Sequence, residues 1–150
     1  MEGATAGGFR SNATGSWSTV IGYASTACGD YSVALGRGNS ATSNYGVVLG
    51  GLENTNSGSY GTIVAGKSNA ASANYAFVGG GLSNTAAGLC SVVVGGRLNS
   101  GSSTFSTVVG GILNCSTGIY TSVSQSRSAD KIKLSTSFIC KSSYYNRIIT

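Results

Sequence analysis

The sequence predicts an all-β fold, a parallel β-solenoid built from 14-residue and 15-residue coils. The segment YGVVLGGLENTNSGS, which begins at Tyr45, has an order of aromatic, apolar, glycine and small polar residues that restarts at Tyr60 and Tyr75. Repetition at a short fixed period is the signature of stacked repeat architectures. The apolar runs are rich in valine and isoleucine and are bounded by glycine, which is typical of short strands. The 150 residues contain 24 glycines and no proline, a composition that suits a chain turning sharply in every coil.

The repeats divide the chain into two parts. A partial copy comes first, and full copies then begin at Trp17, Tyr31, Tyr45, Tyr60, Tyr75, Cys90 and Phe105, with a decaying copy after Tyr120. We therefore predict a β-roll repeat domain over residues 1–124. The pattern stops after it, and residues 125–150 are predicted to be a basic C-terminal cap or docking segment.

Stacking the copies aligns similar residues into columns that run along the solenoid. The aromatic column, which opens the coils, consists of Trp17, Tyr31, Tyr45, Tyr60, Tyr75, Cys90, Phe105 and Tyr120. The first apolar column consists of Val20, Ala34, Val48, Ile63, Val78, Val93 and Val108. The second apolar column, directly after it, consists of Ile21, Leu35, Leu49, Val64, Gly79, Val94 and Val109.

The two adjacent apolar columns predict self-association. Successive side chains of a strand point to opposite faces, so one column faces the coil interior and the other faces outwards. The second strand of each coil carries small residues, such as those at 69–72, and predicts a narrow coil. An apolar stripe therefore remains on the flank, and such stripes mark interaction surfaces. A homo-oligomer whose axis runs along the solenoid would cover it.

An uninterrupted asparagine column indicates a structural corner. It consists of Asn39, Asn54, Asn69, Asn84, Asn99 and Asn114. Asparagine tolerates positive φ and bonds locally, and residues stacked one strand apart, about 4.8 Å, can bond to each other. We interpret the column as a buried ladder rather than as a binding site.

A further column alternates basic and apolar residues, and we refer to it as the alternating column. It consists of Arg37, Leu52, Lys67, Leu82, Arg97 and Ile112. Charges on alternate coils lie about 9.5 Å apart, close to the Debye length in physiological salt. The column favours a role in solubility and charge spacing, with a basic stripe for an acidic glycan or nucleic acid as the alternative.

The segments SVALGRGNSATSNYGVVLG and STVIGYASTACGDYSVALG resemble the head repeats of trimeric autotransporter adhesins. The resemblance covers about residues 8–124. It implies a left-handed parallel β-roll in which three chains pack about a common axis. The later 15-residue VVxGGxxN copies also resemble repeats of large DNA virus proteins and some phage fibres.

From this resemblance and the paired columns we expect a parallel homotrimer. The candidate trimer contacts are Val48, Ile63, Val93 and Val108, or the second apolar column beside them. A signal peptide, a coiled-coil stalk and a membrane anchor are not recognised in the sequence. We therefore expect a virus or phage particle rather than a bacterial surface as the setting.

The composition disfavours an enzyme. The chain has no histidine, and its only carboxylates are Glu2, Asp30, Glu53 and Asp130. Solenoids that cleave polysaccharides need clustered acids for proton transfer, whereas Asp30 and Glu53 lie at different phases of the repeat. The four cysteines are too scattered for a zinc site. We expect no catalytic residue, no metal site and no cofactor.

The cysteines also bear on the compartment. Cys28, Cys90, Cys115 and Cys140 lie at different phases of the repeat, so we interpret them as thiols rather than as a disulfide framework. Without a visible secretory signal, we expect assembly in a reducing cytoplasm, followed by display on a virion or extracellular particle. The longest apolar runs are far shorter than the ~20 residues needed to span a bilayer, so no membrane insertion is expected.

The tail after residue 124 holds five of the nine basic residues. Its docking candidates are Lys131, Lys133 and Lys141, and the expected partner is an acidic face of another structural protein. A glycan or cell-surface receptor is a further possible partner. Nucleic acid is disfavoured because the tail lacks interleaved aromatic and arginine residues.

These observations predict a non-enzymatic structural protein, a rigid trimeric fibre, spike or head module with a role in attachment. The alternatives are a bacterial adhesin head and a self-polymerising solenoid filament. An ice-binding solenoid is disfavoured, because valines such as Val33 and Val47 interrupt the threonines of the first strand.

Overall fold

The computed structural model describes residues 2–124, which form a parallel β-solenoid of short strands. In chain order the strands are β1 (Thr5–Phe9), β2 (Asn12–Ala13), β3 (Thr19–Tyr23), β4 (Thr26–Ala27), β5 (Val33–Arg37), β6 (Ser40–Ala41), β7 (Val47–Val48), β8 (Thr55–Asn56), β9 (Thr62–Ile63), β10 (Ala70–Ala71), β11 (Phe77–Val78), β12 (Thr85–Ala86), β13 (Val92–Val93), β14 (Ser100–Gly101), β15 (Thr107–Val108), β16 (Cys115–Ser116) and β17 (Ser122–Val123). The odd-numbered strands form a larger sheet and the even-numbered strands a smaller one. The predicted fold class is confirmed.

Each strand pairs in parallel with the strand one coil further on. Thr19 pairs with Val33, which is one 14-residue coil away, whereas Val47 pairs with Thr62, which is one 15-residue coil away. The two repeat lengths in the sequence are therefore the two registers of the sheet. Residues of one column lie directly above one another, so a column in the sequence is a physical row along the solenoid.

The extra residue of the longer coil interrupts the larger sheet. Ala34 pairs with Val48 across a 14-residue step, but Arg37 pairs with Leu52 across a 15-residue step. The extra residue therefore lies between Val48 and Leu52. From β7 onwards the strands of the larger sheet are two residues long, and single bridges along the alternating column resume the pairing.

Glycine is required beside this interruption. Gly51 has a φ of +90°, and a Cβ placed there would lie 2.1 Å from the carbonyl oxygen of Gly66. The equivalent glycine of the next coil, Gly66, meets the carbonyl oxygen of Gly81 in the same way. Any side chain would both clash with the neighbouring coil and strain the backbone, so this turn recurs as glycine in successive coils.

The core is the thin space between the two sheets. The first apolar column points into it and is fully buried, and it is faced by small residues of the smaller sheet, among them Ala27, Ala41, Ala71 and Ala86. Val48, Ile63, Val93 and Val108 have no exposed surface within a single chain. These four residues are therefore core residues rather than subunit contacts, and the second apolar column is the one that remains at the surface.

Two corners of each coil have left-handed backbone, and nearly all of the residues there are not glycine. The whole aromatic column, from Trp17 to Tyr120, has φ between 54° and 59°. The second set consists of Arg10, Ala24, Gly38, Glu53, Ser68, Ser83, Leu98 and Leu113. Sequence reasoning expected glycine and asparagine at such corners, but at both corners most members carry other side chains. Within residues 2–124 no helix is long and apolar enough to cross a membrane.

Candidate functional site

The outer face of the larger sheet is mainly apolar, with threonines among its flanking residues. The second apolar column alternates with the buried first column and therefore points outwards; Ile21 is 56% exposed and Leu49 is 50% exposed. A half-buried flanking column lies two residues earlier in each coil and consists of Thr19, Val33, Val47, Thr62, Phe77, Val92 and Thr107. We refer to these two columns together as the outer face. A continuous apolar surface of this kind marks an interaction site.

Phe77 fills the one gap in the outer face. Gly79 is the only glycine of the second apolar column. A Cβ there would lie 2.4 Å from the carbonyl oxygen of Val94, so the close approach of the next coil requires glycine, and ring atom Cε1 of Phe77 lies 3.4 Å from the same position. The half-buried ring thus lies over the missing side chain. The outer face is in this way continuous from Ile21 to Val109.

Stacked aromatic rings form one edge of the larger sheet. Tyr31, Tyr45, Tyr60 and Tyr75 stack in sequence, with ring centroids 5.1, 4.8 and 5.2 Å apart and planes within 6° of parallel. Cys90 interrupts the stack, which resumes between Phe105 and Tyr120. The rings cover one another's faces and leave their edges to solvent. Sequence reasoning found this column by its phase but did not predict its stacking at a solvent-exposed edge.

The asparagine column lies inside the opposite corner and forms a ladder. The Oδ1 atom of each asparagine accepts a hydrogen bond from the backbone N–H of the next one, at 2.8 to 3.0 Å. The Nδ2 atom of Asn54 donates to the carbonyl oxygens of Gly50 and Gly66, both at 3.0 Å. The Oδ1 bonds and the Nδ2 bond of Asn54 to Gly66 join side chains to backbone on a neighbouring coil, so the column holds coils together. Its asparagines are buried and therefore not accessible to a ligand.

The alternating column lies just past the turn glycines, at the edge opposite the aromatic stack. Parallel bridges join its six residues in order, from Arg37 to Ile112. The basic residues Arg37, Lys67 and Arg97 are exposed. Two apolar residues of the column are exposed as well: Leu82, which lies between Lys67 and Arg97, and Ile112, which follows Arg97. The guanidinium group of Arg37 lies over the ring of Tyr23, 5.4 Å from its centroid, a separation at which a cation–π interaction is favourable.

The basic residues within residues 2–124 lie at one edge, where Glu53 is the one acid among them. All four basic residues, Arg10, Arg37, Lys67 and Arg97, belong to the corner that contains the alternating column. Asp30 lies beside the aromatic stack, where its Oδ1 atom accepts a hydrogen bond from the N–H of Ser16 at 2.9 Å.

No three His, Cys, Asp or Glu side chains come together as a potential metal site within residues 2–124. Cys28 and Cys90 are free thiols, and the buried Cys115 contacts the hydroxyl of Ser102. The docking candidates Lys131, Lys133 and Lys141, and Cys140, lie outside the described residues.

The 14-residue coils have known counterparts. Residues 13–39 and 27–51 match the YadA head domain repeat. Residues 13–51 thus resemble two YadA head repeats. With the parallel solenoid, these matches confirm the resemblance to the head repeats of trimeric autotransporter adhesins, a structural and adhesive kind of fold. No curated protein matches the chain.

The boundary of the YadA match has a structural explanation. It ends at Gly51, within the segment where the first 15-residue coil inserts its extra residue. The corner residue changes one coil earlier, inside the match: in the coil before Asn39 a serine, Ser25, donates to the carbonyl oxygen of Gly36. From Asn39 onwards an asparagine holds it with two donor bonds. The later coils are thus a longer variant of the coil that resembles the YadA head repeat.

Proposed function

We propose that this chain is a non-enzymatic head or fibre module in which three parallel chains pack through their outer faces to display a rigid, repetitive surface for attachment. The observation that carries the proposal is the continuous apolar outer face. It lies on a solenoid whose 14-residue coils match the YadA head repeat.

The outer face favours association with other copies of the same chain. A strand with apolar residues on both sides is expected where both sides are buried, and a single chain buries only the inner side. Taking an aliphatic side chain that is half exposed out of water contributes about 1 kcal/mol. The second apolar column repeats this gain in nearly every coil, so the total grows with the number of coils in register.

The parallel arrangement follows from the repeat. Aligned chains place like coils side by side, so that each side chain of the outer face meets residues of the same chemistry at the same height. An antiparallel arrangement would set 14-residue coils against 15-residue coils. The resemblance to trimeric adhesin heads supports three chains rather than two.

The surface that remains after assembly comprises the smaller sheet and the two edges. This supports an attachment role, because most coils present a small polar residue on the smaller sheet and a receptor can bind several coils at once. Two settings are candidates. The 15-residue repeats favour a virus or phage particle, and the YadA match over residues 13–51 favours a bacterial adhesin head.

The test is the mass of the native full-length chain by sedimentation equilibrium at several concentrations. The proposal predicts one species of three chains. A stable folded monomer would contradict it, and an open-ended distribution of masses would favour the self-polymerising filament instead.

A further inference from the structure

We propose that the alternating column binds a linear polyanionic glycan, of the sulfated or uronic-acid class, laid along the solenoid axis. This inference rests on the proposed attachment function and names the class of ligand for it. It depends on three features of the column: the spacing of its charges, the separation of charge on the solenoid, and the apolar residues between the charges.

The spacing is regular because the sheet fixes it. Arg37, Lys67 and Arg97 are joined through intervening parallel bridges to Leu52 and Leu82. Strands in a sheet lie about 4.8 Å apart, so consecutive charges are about 9.6 Å apart on a nearly straight line. The anionic groups of many linear glycans recur once per disaccharide, which is a similar length. Such a chain can place an anion opposite each basic residue without bending.

Charge separation leaves this edge positive. The column and its neighbour, the set that begins at Arg10, carry four basic residues, with Glu53 as the only acid of that corner. Asp30 lies at the opposite edge and is engaged by the N–H of Ser16. An anionic polymer is therefore attracted to this edge in particular, and three chains would present three such edges.

Apolar residues between the charges distinguish a glycan from a nucleic acid. Leu52, Leu82 and Ile112 occupy alternate positions of the column, where they can contact the C–H faces of sugar rings. Single-stranded nucleic acid is held by aromatic side chains on which bases stack. The long tyrosine stack is at the other edge, and its rings cover one another's faces. Phe9 and Tyr23 precede Arg37 in its own row, but they stack on each other, and the guanidinium groups of Arg10 and Arg37 lie over their rings.

The three basic residues of the column should bind the glycan together rather than individually. Each exposed ion pair contributes little by itself, whereas linked contacts to one polymer reinforce each other. Single replacements of Arg37, Lys67 or Arg97 should lower affinity about twofold, and the triple replacement should lower it at least tenfold. Binding should weaken as salt is raised, because a polyanion releases counterions when it is bound.

The experiment measures binding of the full chain to immobilised heparin, a sulfated glycan, with uncharged dextran as the blank. The test variant is R37Q/K67Q/R97Q. A matched spacing variant, R37L/L52R/K67L/L82K, keeps the same net charge and composition but moves two charges by one coil each. A third variant, K131Q/K133Q/K141Q, removes an equal charge from the tail.

The proposal predicts at least tenfold weaker binding for the test variant, several-fold weaker binding for the spacing variant, and binding close to the native value for the tail variant. Native binding by the test variant, or loss confined to the tail variant, would overturn it. Stronger competition by single-stranded DNA than by free heparin would also overturn it. Sedimentation of the native chain separates this inference from the proposed function: a native trimer that does not bind heparin refutes only the glycan site, whereas a native monomer refutes the proposed function.

Discussion

Asn69 illustrates how one residue joins three coils. Its Nδ2 atom donates to the carbonyl oxygens of Ala65 and Gly81, both at 3.1 Å. Its Oδ1 atom accepts from the N–H of Asn84 at 2.9 Å, and its own N–H donates to Oδ1 of Asn54 at 2.9 Å. The side chain is buried, so water cannot replace these partners.

Replacing Asn69 with alanine should therefore be costly. The change leaves the carbonyl oxygen of Ala65 and the N–H of Asn84 without partners, whereas the carbonyl oxygen of Gly81 keeps the N–H of Lys67. Each unsatisfied group costs about 1 to 3 kcal/mol, so we expect a loss of about 2 kcal/mol or more. The control is Asn69→Ser, because Ser25 holds the corresponding corner of a shorter coil with one hydroxyl. Guanidinium unfolding at fixed protein concentration should rank native, serine and alanine in that order. Equal midpoints for serine and alanine would show that the side-chain bonds contribute nothing.

In contrast to Asn69, two buried serines carry side-chain polar atoms that make no hydrogen bond. The hydroxyl of Ser91 has no hydrogen-bond partner, and the same is true of Ser106 one coil on. In the same column Ala76 is buried without a hydroxyl, whereas the hydroxyl of Ser32 donates to the carbonyl oxygen of Gly29 at 2.6 Å.

We expect Ser91→Ala to stabilise the solenoid by about 1 kcal/mol, because it removes an unsatisfied polar atom from the core. Ser32→Ala should destabilise it by about 1 kcal/mol, since a satisfied hydrogen bond is lost. Thermal unfolding of the two variants side by side tests both signs. A lower midpoint for Ser91→Ala would mean that its hydroxyl has a partner in solution.

At the scale of the element, the corners with positive φ are the strained parts of each coil. Left-handed backbone costs a non-glycine residue about 1 to 2 kcal/mol. At the aromatic corner, stacking offsets some of this cost, because parallel aromatic pairs contribute about 0.5 to 1.5 kcal/mol beyond burial. The second corner has no such stack, and one coil already carries glycine there, at Gly38.

Ser68→Gly should therefore raise stability by about 1 kcal/mol, because Ser68 has a φ of 55° and is exposed and glycine adopts that angle without strain. The matched control is Ser72→Gly in the same coil, at an exposed position outside the left-handed region. The control should lose about 0.5 to 1 kcal/mol through backbone entropy, together with the weak hydrogen bond from the Ser72 hydroxyl to the carbonyl oxygen of Ala86 at 3.5 Å. Chemical unfolding measures both variants, and destabilisation by Ser68→Gly would contradict the strain argument.

The elements show what the sequence could and could not predict. The columns were predictable because a fixed period sets which residues stack, as for Asn39 and Asn54. The buried side of the strand was not, because Val48 and Leu49 are equally apolar and alternation allows either to face inwards. In the structure the first apolar column packs against the alanines of the smaller sheet, and this packing decides which side of the strand is buried. The left-handed tyrosines were also not predictable, since intrinsic preference disfavours them.

At the scale of the whole molecule, the basic tail is the feature expected to contact a neighbour. Residues 125–150 contain five basic residues and one acid, and three chains brought together would repel one another at this end. We propose that an acidic structural protein offsets this charge.

Changing Lys131, Lys133 and Lys141 to glutamine should lower incorporation of the chain into its parent particle, and more strongly at low salt, where charge interactions are least screened. Particle composition at two salt concentrations measures this effect. The triple glutamine variant of Arg37, Lys67 and Arg97 is the control and should incorporate normally. Unchanged incorporation of the tail variant at both salt concentrations would show that the tail charge has no docking role.

The central claim is that the outer face joins the chains, and sedimentation of a matched pair of variants tests it most directly. Leu49→Asp with Val64→Asp places two charges on the outer face, and Ser57→Asp with Ser72→Asp places two charges on adjacent coils beside the smaller sheet, at exposed positions. Circular dichroism first establishes that both variants keep their strands. The account predicts that the outer-face variant sediments as a folded monomer and the control as a trimer. A trimer for the outer-face variant, or a monomer for the control alone, would contradict it.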